Sequence, residues 1–176
     1  DYLIIREKYF ISLIRAIIGQ QISVKAAQSI WIKFNHKYKN SSPKSISKVN
    51  IKNLKKLGLS KQKASYIKNV ANFFIQNRQR IKEWPNLHDD IIINDLVSIK
   101  GVGVWTAEMF LMFSLGRPNV FPVRDLGFLK AVSINYNKKL PISDMFLKKL
   151  KKEWDPWCSV ATWYLWRSID PVPVNY

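Results

Sequence analysis

Cysteine is almost missing from this chain: of 176 residues only Cys158 carries a thiol. A single thiol excludes an intramolecular disulfide and any zinc or iron–sulfur centre built from several cysteines, and it suits a reducing compartment. Long apolar runs are missing too. None approaches the roughly 20 residues that span a bilayer, and no signal peptide is visible, so the sequence reads as soluble and intracellular, without a membrane partner. No segment keeps up a period-two alternation, which leaves no basis for a sheet. The largest gap is in negative charge. From Lys8 to Lys82 there are 17 Lys and Arg and no Asp or Glu, whereas the rest of the chain has 12 basic and 12 acidic side chains. The whole formal excess of +17 therefore lies in the first half. A lysine-rich composition bias would not clear acids from one half only, so a polyanionic partner is expected there. The lysines are dispersed rather than set along one amphipathic helix, which disfavours a membrane surface.

What is present is a series of helix signals, on a chain that is 47% hydrophobic and long enough for one core or two small lobes. Phe10, Leu13, Ile14, Ile17 and Ile18 fall at helical spacing. Ser23 reads as the cap of a helix with Val24, Ala27, Ile30, Trp31, Phe34 and Tyr38 on one face. Pro43 sits in the first turn of a short helix, Asn50 caps another that stops at Gly58, and Ser60 caps a longer one facing Ala64, Ile67, Val70, Ala71 and Phe74 inward. Two short turns follow Pro85. Asp125, Ser143 and Asp155 stand where further helices should begin. The fold class is all-α.

Between a short helix at 94–98 and a nearly all-apolar helix from Val104 runs Lys100-Gly101-Val102-Gly103. Glycine permits positive φ and close backbone approach. The following helix starts with free N–H groups and a positive dipole end, so the hairpin can seat one phosphate without reading sequence. A plain corner between two helices would explain a lone Gly-x-Gly equally well; the basic segment and a nearby "FPVRD" strengthen the anion-seat reading.

The motifs in order resemble the helix-hairpin-helix DNA glycosylase superfamily, in its 3-methyladenine DNA glycosylase II (alkylbase) branch. "LVSIKGVGVWTAEMF" is similar to that superfamily's hairpin, at 98–105. "NVFPVRDLG" is similar to its Gly/Pro-rich loop and aspartate, "IIGQQISVKAAQSIW" to its early helix pair, and "PWCSVATWYLW" to its last helix. The likeness runs from about Phe10 to Trp166. It implies a bilobal fold, 1–176 forming a single unit, with one lobe at 20–117, the other made of 1–19 plus 118–176, and an active-site cleft between them. It also implies duplex DNA with a damaged base as the partner; a monomer is expected. Asp125 would be the catalytic carboxylate that stabilises the cationic sugar. Trp105, Met109 and Trp166 would wall the base pocket, the indole attracting a cationic alkylpurine. Trp105 and Met109, four apart, share a helix face, although ordinary core packing would also place such residues there. Gln21, with Gln20 beside it, would plug the gap left by the flipped base, and Lys100, Gly101, Val102 and Gly103 would hold the backbone.

Members that also cut the strand place a lysine where Trp105 stands, so base release without strand cleavage is expected. The resemblance also implies that no cofactor is required and that the carbonyls of Val97, Ile99 and Val102 would hold a structural monovalent cation. Met109 replaces an aromatic of some relatives, and Cys158 an arginine. Glycosylases for deaminated or oxidised bases, or a non-catalytic helix-hairpin-helix module that binds DNA, are the alternatives.

Overall fold

The computed structural model describes Ile5 and residues 8–170. Among them the chain forms eleven α-helices and one 3₁₀ turn, with no strand. In order these are α1 (Tyr9–Gly19), α2 (Val24–Tyr38), α3 (Pro43–Lys48), α4 (Ile51–Lys55), α5 (Lys61–Gln76) and α6 (Arg78–Glu83), the turn Trp84–Asn86, then α7 (Asp89–Val97), α8 (Val104–Phe113), α9 (Leu126–Asn135), α10 (Asp144–Trp154) and α11 (Cys158–Ile169). Caps set many of the starts. Ser23, Ser42, Asn50, Ser60, Asp125 and Ser143 each accept a backbone N–H of the helix they precede, an interaction worth about 1 kcal/mol apiece.

Two apolar cores result. The first gathers α1 to α8, with Leu13, Ile14, Ile17, Phe34, Ile67, Val70, Leu96 and Met112 fully or almost fully buried. At its centre the Trp84 ring is ringed by Tyr9, Phe73, Phe74 and Phe110 at centroid distances of 5.4–6.3 Å, each such pair adding about 0.5–1.5 kcal/mol to simple burial. Its indole N–H is not wasted: Nε1 donates to Asp95 Oδ2 at 3.0 Å, and Arg80 Nε reaches the same oxygen at 2.8 Å. The second core is smaller, built by α9 to α11 around Phe128, Ala131, Val132, Leu147, Leu150 and Leu165. Trp166 packs against both.

Phe10, Leu13, Ile14, Ile17 and Ile18 lie in the first core, where α1 meets α2, α5 and α8. Several expectations are corrected by the packing. On α2 only Phe34 is buried and Val24 is 64% exposed, because the helix lies at the edge of that core. The short helix at 94–98 is the end of the longer α7, started by His88. Asp155 opens no helix: it ends α10, its carboxylate accepts Asn119 Nδ2 at 2.6 Å, and α11 begins only at Cys158.

Candidate active site

The segment after α8 turns tightly twice. Val123 N donates to Phe121 O at 3.0 Å and Asp125 N to Pro122 O at 2.9 Å, which delivers Asp125 to the N-terminus of α9. There its Oδ1 accepts the N–H of Phe128 at 2.6 Å. Two indoles complete the arrangement. Trp166 Nε1 donates to Oδ1 at 2.9 Å, and Trp105 Nε1 to Oδ2 at 2.7 Å. Three N–H donors and the positive end of a helix stabilise negative charge on this carboxylate, each bond to an ionised group contributing about 1.5–3 kcal/mol. Trp105 comes from the first core, Phe128 from the second, and Trp166 from the seam between them. Asp125 therefore marks the meeting of the two cores, where a cleft was expected. It is only 7% exposed, so it does not stand open to a wide cleft.

Sequence reasoning gave Trp105 and Trp166 the task of aromatic walls; the structure gives both a second one, as donors to Asp125. The Trp166 ring is also stacked on Phe113, with centroids 6.1 Å apart and planes 14° from parallel. Gly127 leaves room beside this arrangement, which a larger residue would press by a few tenths of an ångström. A Cβ there would stand 3.1 Å from Asp125 Oδ1 and 3.5 Å from Trp166 Nε1. Met109 is not brought to the carboxylate. It is buried in the first core and lines a cavity of about 20 Å³ with Ser12, Leu13 and Ala16 of α1.

The hairpin is braced from two sides. Gly101 has φ +109° and lies against the Tyr66 ring, where any Cβ would overlap the aromatic carbons, so both conformation and space demand glycine. Gln20 Nε2 donates to Gly101 O at 3.0 Å, and Asn69 Nδ2 to Lys100 O at 3.1 Å. Gly103 begins α8 without a side-chain cap, and Lys100 is exposed beside it. Gln21 is exposed with φ +55°, an uncommon conformation for a non-glycine residue, at the tip between α1 and α2. Between this tip, the start of α5 and the hairpin runs a groove of about 510 Å³, bordered by Gln20, Gln21, Lys63, Tyr66, Gly101 and Trp105. Lys63 Nζ donates to Ile18 O at 2.8 Å, and burial pushes its pKa down. Trp105 thus borders the groove and also donates to the Asp125 carboxylate.

One residue escaped sequence reasoning. Glu108 is the sole charged side chain in Val104–Phe113, and its Oε2 is buried with no hydrogen-bond partner among the described residues. Burial pushes its carboxyl up to about 7; Arg124 opposes that rise and Asp125 adds to it. The signal was an acid inside an otherwise apolar helix.

Residues 14–156 match the family described as HhH-GPD superfamily base excision DNA repair protein. The chain belongs to this superfamily. Its similarity to YfjP of Bacillus subtilis is 32% identity over 167 residues, covering 90% of this HhH-GPD chain but 58% of YfjP. It is 33% identical to DNA-3-methyladenine glycosylase 1 of Schizosaccharomyces pombe over 162 residues, covering 89% of the chain and 70% of that relative. In structure it is similar to the DNA-3-methyladenine glycosidase of Bacillus halodurans, with a TM-score of 0.84, 33% identity, and 97% and 79% of the two chains covered. It is similar also to the S. pombe 3-methyladenine glycosylase in complex with abasic DNA, with a TM-score of 0.83, 27% identity, and 100% and 87% covered.

Among the described residues of this HhH-GPD chain, no cluster of three His, Cys, Asp or Glu could hold a metal ion. The monovalent cation expected at the hairpin would use backbone oxygens instead, and of these Ile99 O already accepts the Val102 N–H at 2.9 Å. No described helix is long and apolar enough to cross a membrane.

Proposed function

We propose that this chain flips a damaged nucleotide out of duplex DNA and hydrolyses the N-glycosidic bond of alkylated, 3-methyladenine-like bases. The observation that carries the reading is the Asp125 carboxylate, fixed by two indole N–H groups where the cores meet, one of those indoles bordering the hairpin groove. A carboxylate offers about four lone-pair sites. Oδ1 uses two, for Phe128 and Trp166, and Oδ2 uses one, for Trp105. The remaining site, on Oδ2, is the one assigned to the sugar.

As the base departs with the bonding electrons, C1′ gains positive charge, and water then adds to it and releases one proton to the solvent. At about 4 Å and an effective dielectric near 20, the carboxylate stabilises that charge by about 4 kcal/mol, or about three decades in rate. A cationic alkylpurine leaves as a neutral base, so little acid assistance is needed, and the Trp105 face attracts it by about 0.5–2 kcal/mol. Trp105 has no amine to form a Schiff base, which supports base release without strand cleavage. Gln21, at the exposed tip, fills the vacated stack; Lys100 and the hairpin N–H groups hold a phosphate, and a monovalent cation on the Val97, Ile99 and Val102 carbonyls would add charge there. The protein acts as a monomer.

Randomly methylated duplex DNA tests the proposal. Free 3-methyladenine-like bases and alkali-labile abasic sites are expected, without nicks before alkali. Release of only deaminated or oxidised bases would replace the substrate class, and tight binding without any release would leave a DNA-binding module.

A further inference from the structure

We infer that Glu108 is a positioning residue for the reaction at Asp125: a second carboxyl whose charge state sets the negative potential behind the reacting sugar. The inference rests on the function proposed above. Glu108 follows Trp105 by one helical turn, on the neighbouring stripe of α8. Its Oε2 is enclosed without a donor among the described residues, while Asp125 accepts three N–H groups. Two carboxyls in unlike surroundings, one rich in donors and one without, divide their roles: one carries the charge and the other can keep its proton.

The surrounding charges leave little else to act on Glu108. From the loop before α9 come Arg124, which is exposed, and Asp125 itself. On α7, Asp89 is paired with Arg117 at 3.0 Å, Asp95 with Arg80 at 2.8 Å, and Asp90 lies 3.5 Å from His88. On α1, Arg15 lies over the Trp31 ring at 5.3 Å, and on α11 Arg167 lies over Trp163 at 5.0 Å. Burial is the main reason the proton stays on, with a midpoint pushed up to about 7. Above that pH a second negative charge joins Asp125 behind the same sugar cation. At a separation of about 10 Å and an effective dielectric near 20, base release accelerates by about tenfold.

The test is single-turnover base release from methylated duplex DNA at saturating protein, between about pH 5.5 and 8.5. The parent is expected to rise about tenfold with a midpoint near 7. Glu108→Gln should stay flat at the low-pH rate, and Glu108→Asp should restore a rise with a displaced midpoint. A companion measurement needs no substrate: the indole N–H resonances of Trp105 and Trp166, followed against pH, should shift near 7 in the parent and not in Glu108→Gln. A flat parent profile, a rise that persists in Glu108→Gln, or indole signals indifferent to pH overturns the inference. If the parent releases no base at all, the proposed function fails instead, and the indole titration still decides the role of Glu108.

Discussion

The two cores differ in size, charge and contribution to the site. The first holds the acid-free stretch Lys8–Lys82, the braced hairpin and the groove that Trp105 borders. The second, within Pro118–Asp170, has nine basic and five acidic side chains and supplies Asp125. Long-range attraction of a polyanion and local stabilisation of a cation call for opposite charge, and in one compact core each would weaken the other. Separating them lets lysines draw in DNA while a single carboxylate is held by two indoles. Trp105 and Trp166 join the halves, because Trp105 packs with the first core and Trp166 with both, and each bonds to a carboxylate carried by the second.

The most severe way to break this division is Asp125→Asn. It should lower base release by about a thousandfold while DNA affinity, supplied by the other half, changes little. Single-turnover kinetics beside a binding titration checks both, and an unchanged rate removes Asp125 from the chemistry. Next in size is Trp166→Phe, which keeps the ring on Phe113 but deletes the N–H to Oδ1. The loss of one bond to a charged acceptor should reduce kcat by about ten- to a hundredfold and leave KM nearly constant. A KM effect alone would make Trp166 a wall and not a donor. The smallest effect sharpens the charge contrast. Lys100→Gln should lower the slope of log affinity against log salt by about 0.9 for one phosphate contact, whereas Lys148→Gln, exposed on α10, should leave it unchanged. Equal slopes in both variants would deny that the two halves differ in DNA contact.

The fold was legible in the sequence where it depends on near neighbours. Ser23, Asn50, Ser60, Asp125 and Ser143 cap helices as their positions predicted, since a cap involves a side chain and an N–H two or three residues on. The residues Leu13, Ile14, Ile17 and Ile18 are buried as their spacing implied. Legibility failed where two candidate signals competed. Asp155 resembled a cap, but its carboxylate went to Asn119, 36 residues away. Val24 matched the period of α2 yet faces outward, because periodicity cannot say how much of a helix its neighbours cover. At the site, motif likeness named Asp125, Trp105 and Trp166 together, but not the bonds between them, and it passed over Glu108.

By itself the sequence determined the all-helical architecture, the one-sided charge and the glycine hairpin, since each follows from residue type, spacing or a count. Tertiary structure alone decided that indoles 20 and 41 residues from Asp125 turn their N–H groups onto its two oxygens. It alone decided that α1 joins the first core, and that one glutamate oxygen is sealed without a donor among the described residues. Those outcomes depend on which surfaces exclude water from which others, and desolvation is a property of the packed chain rather than of any segment in it.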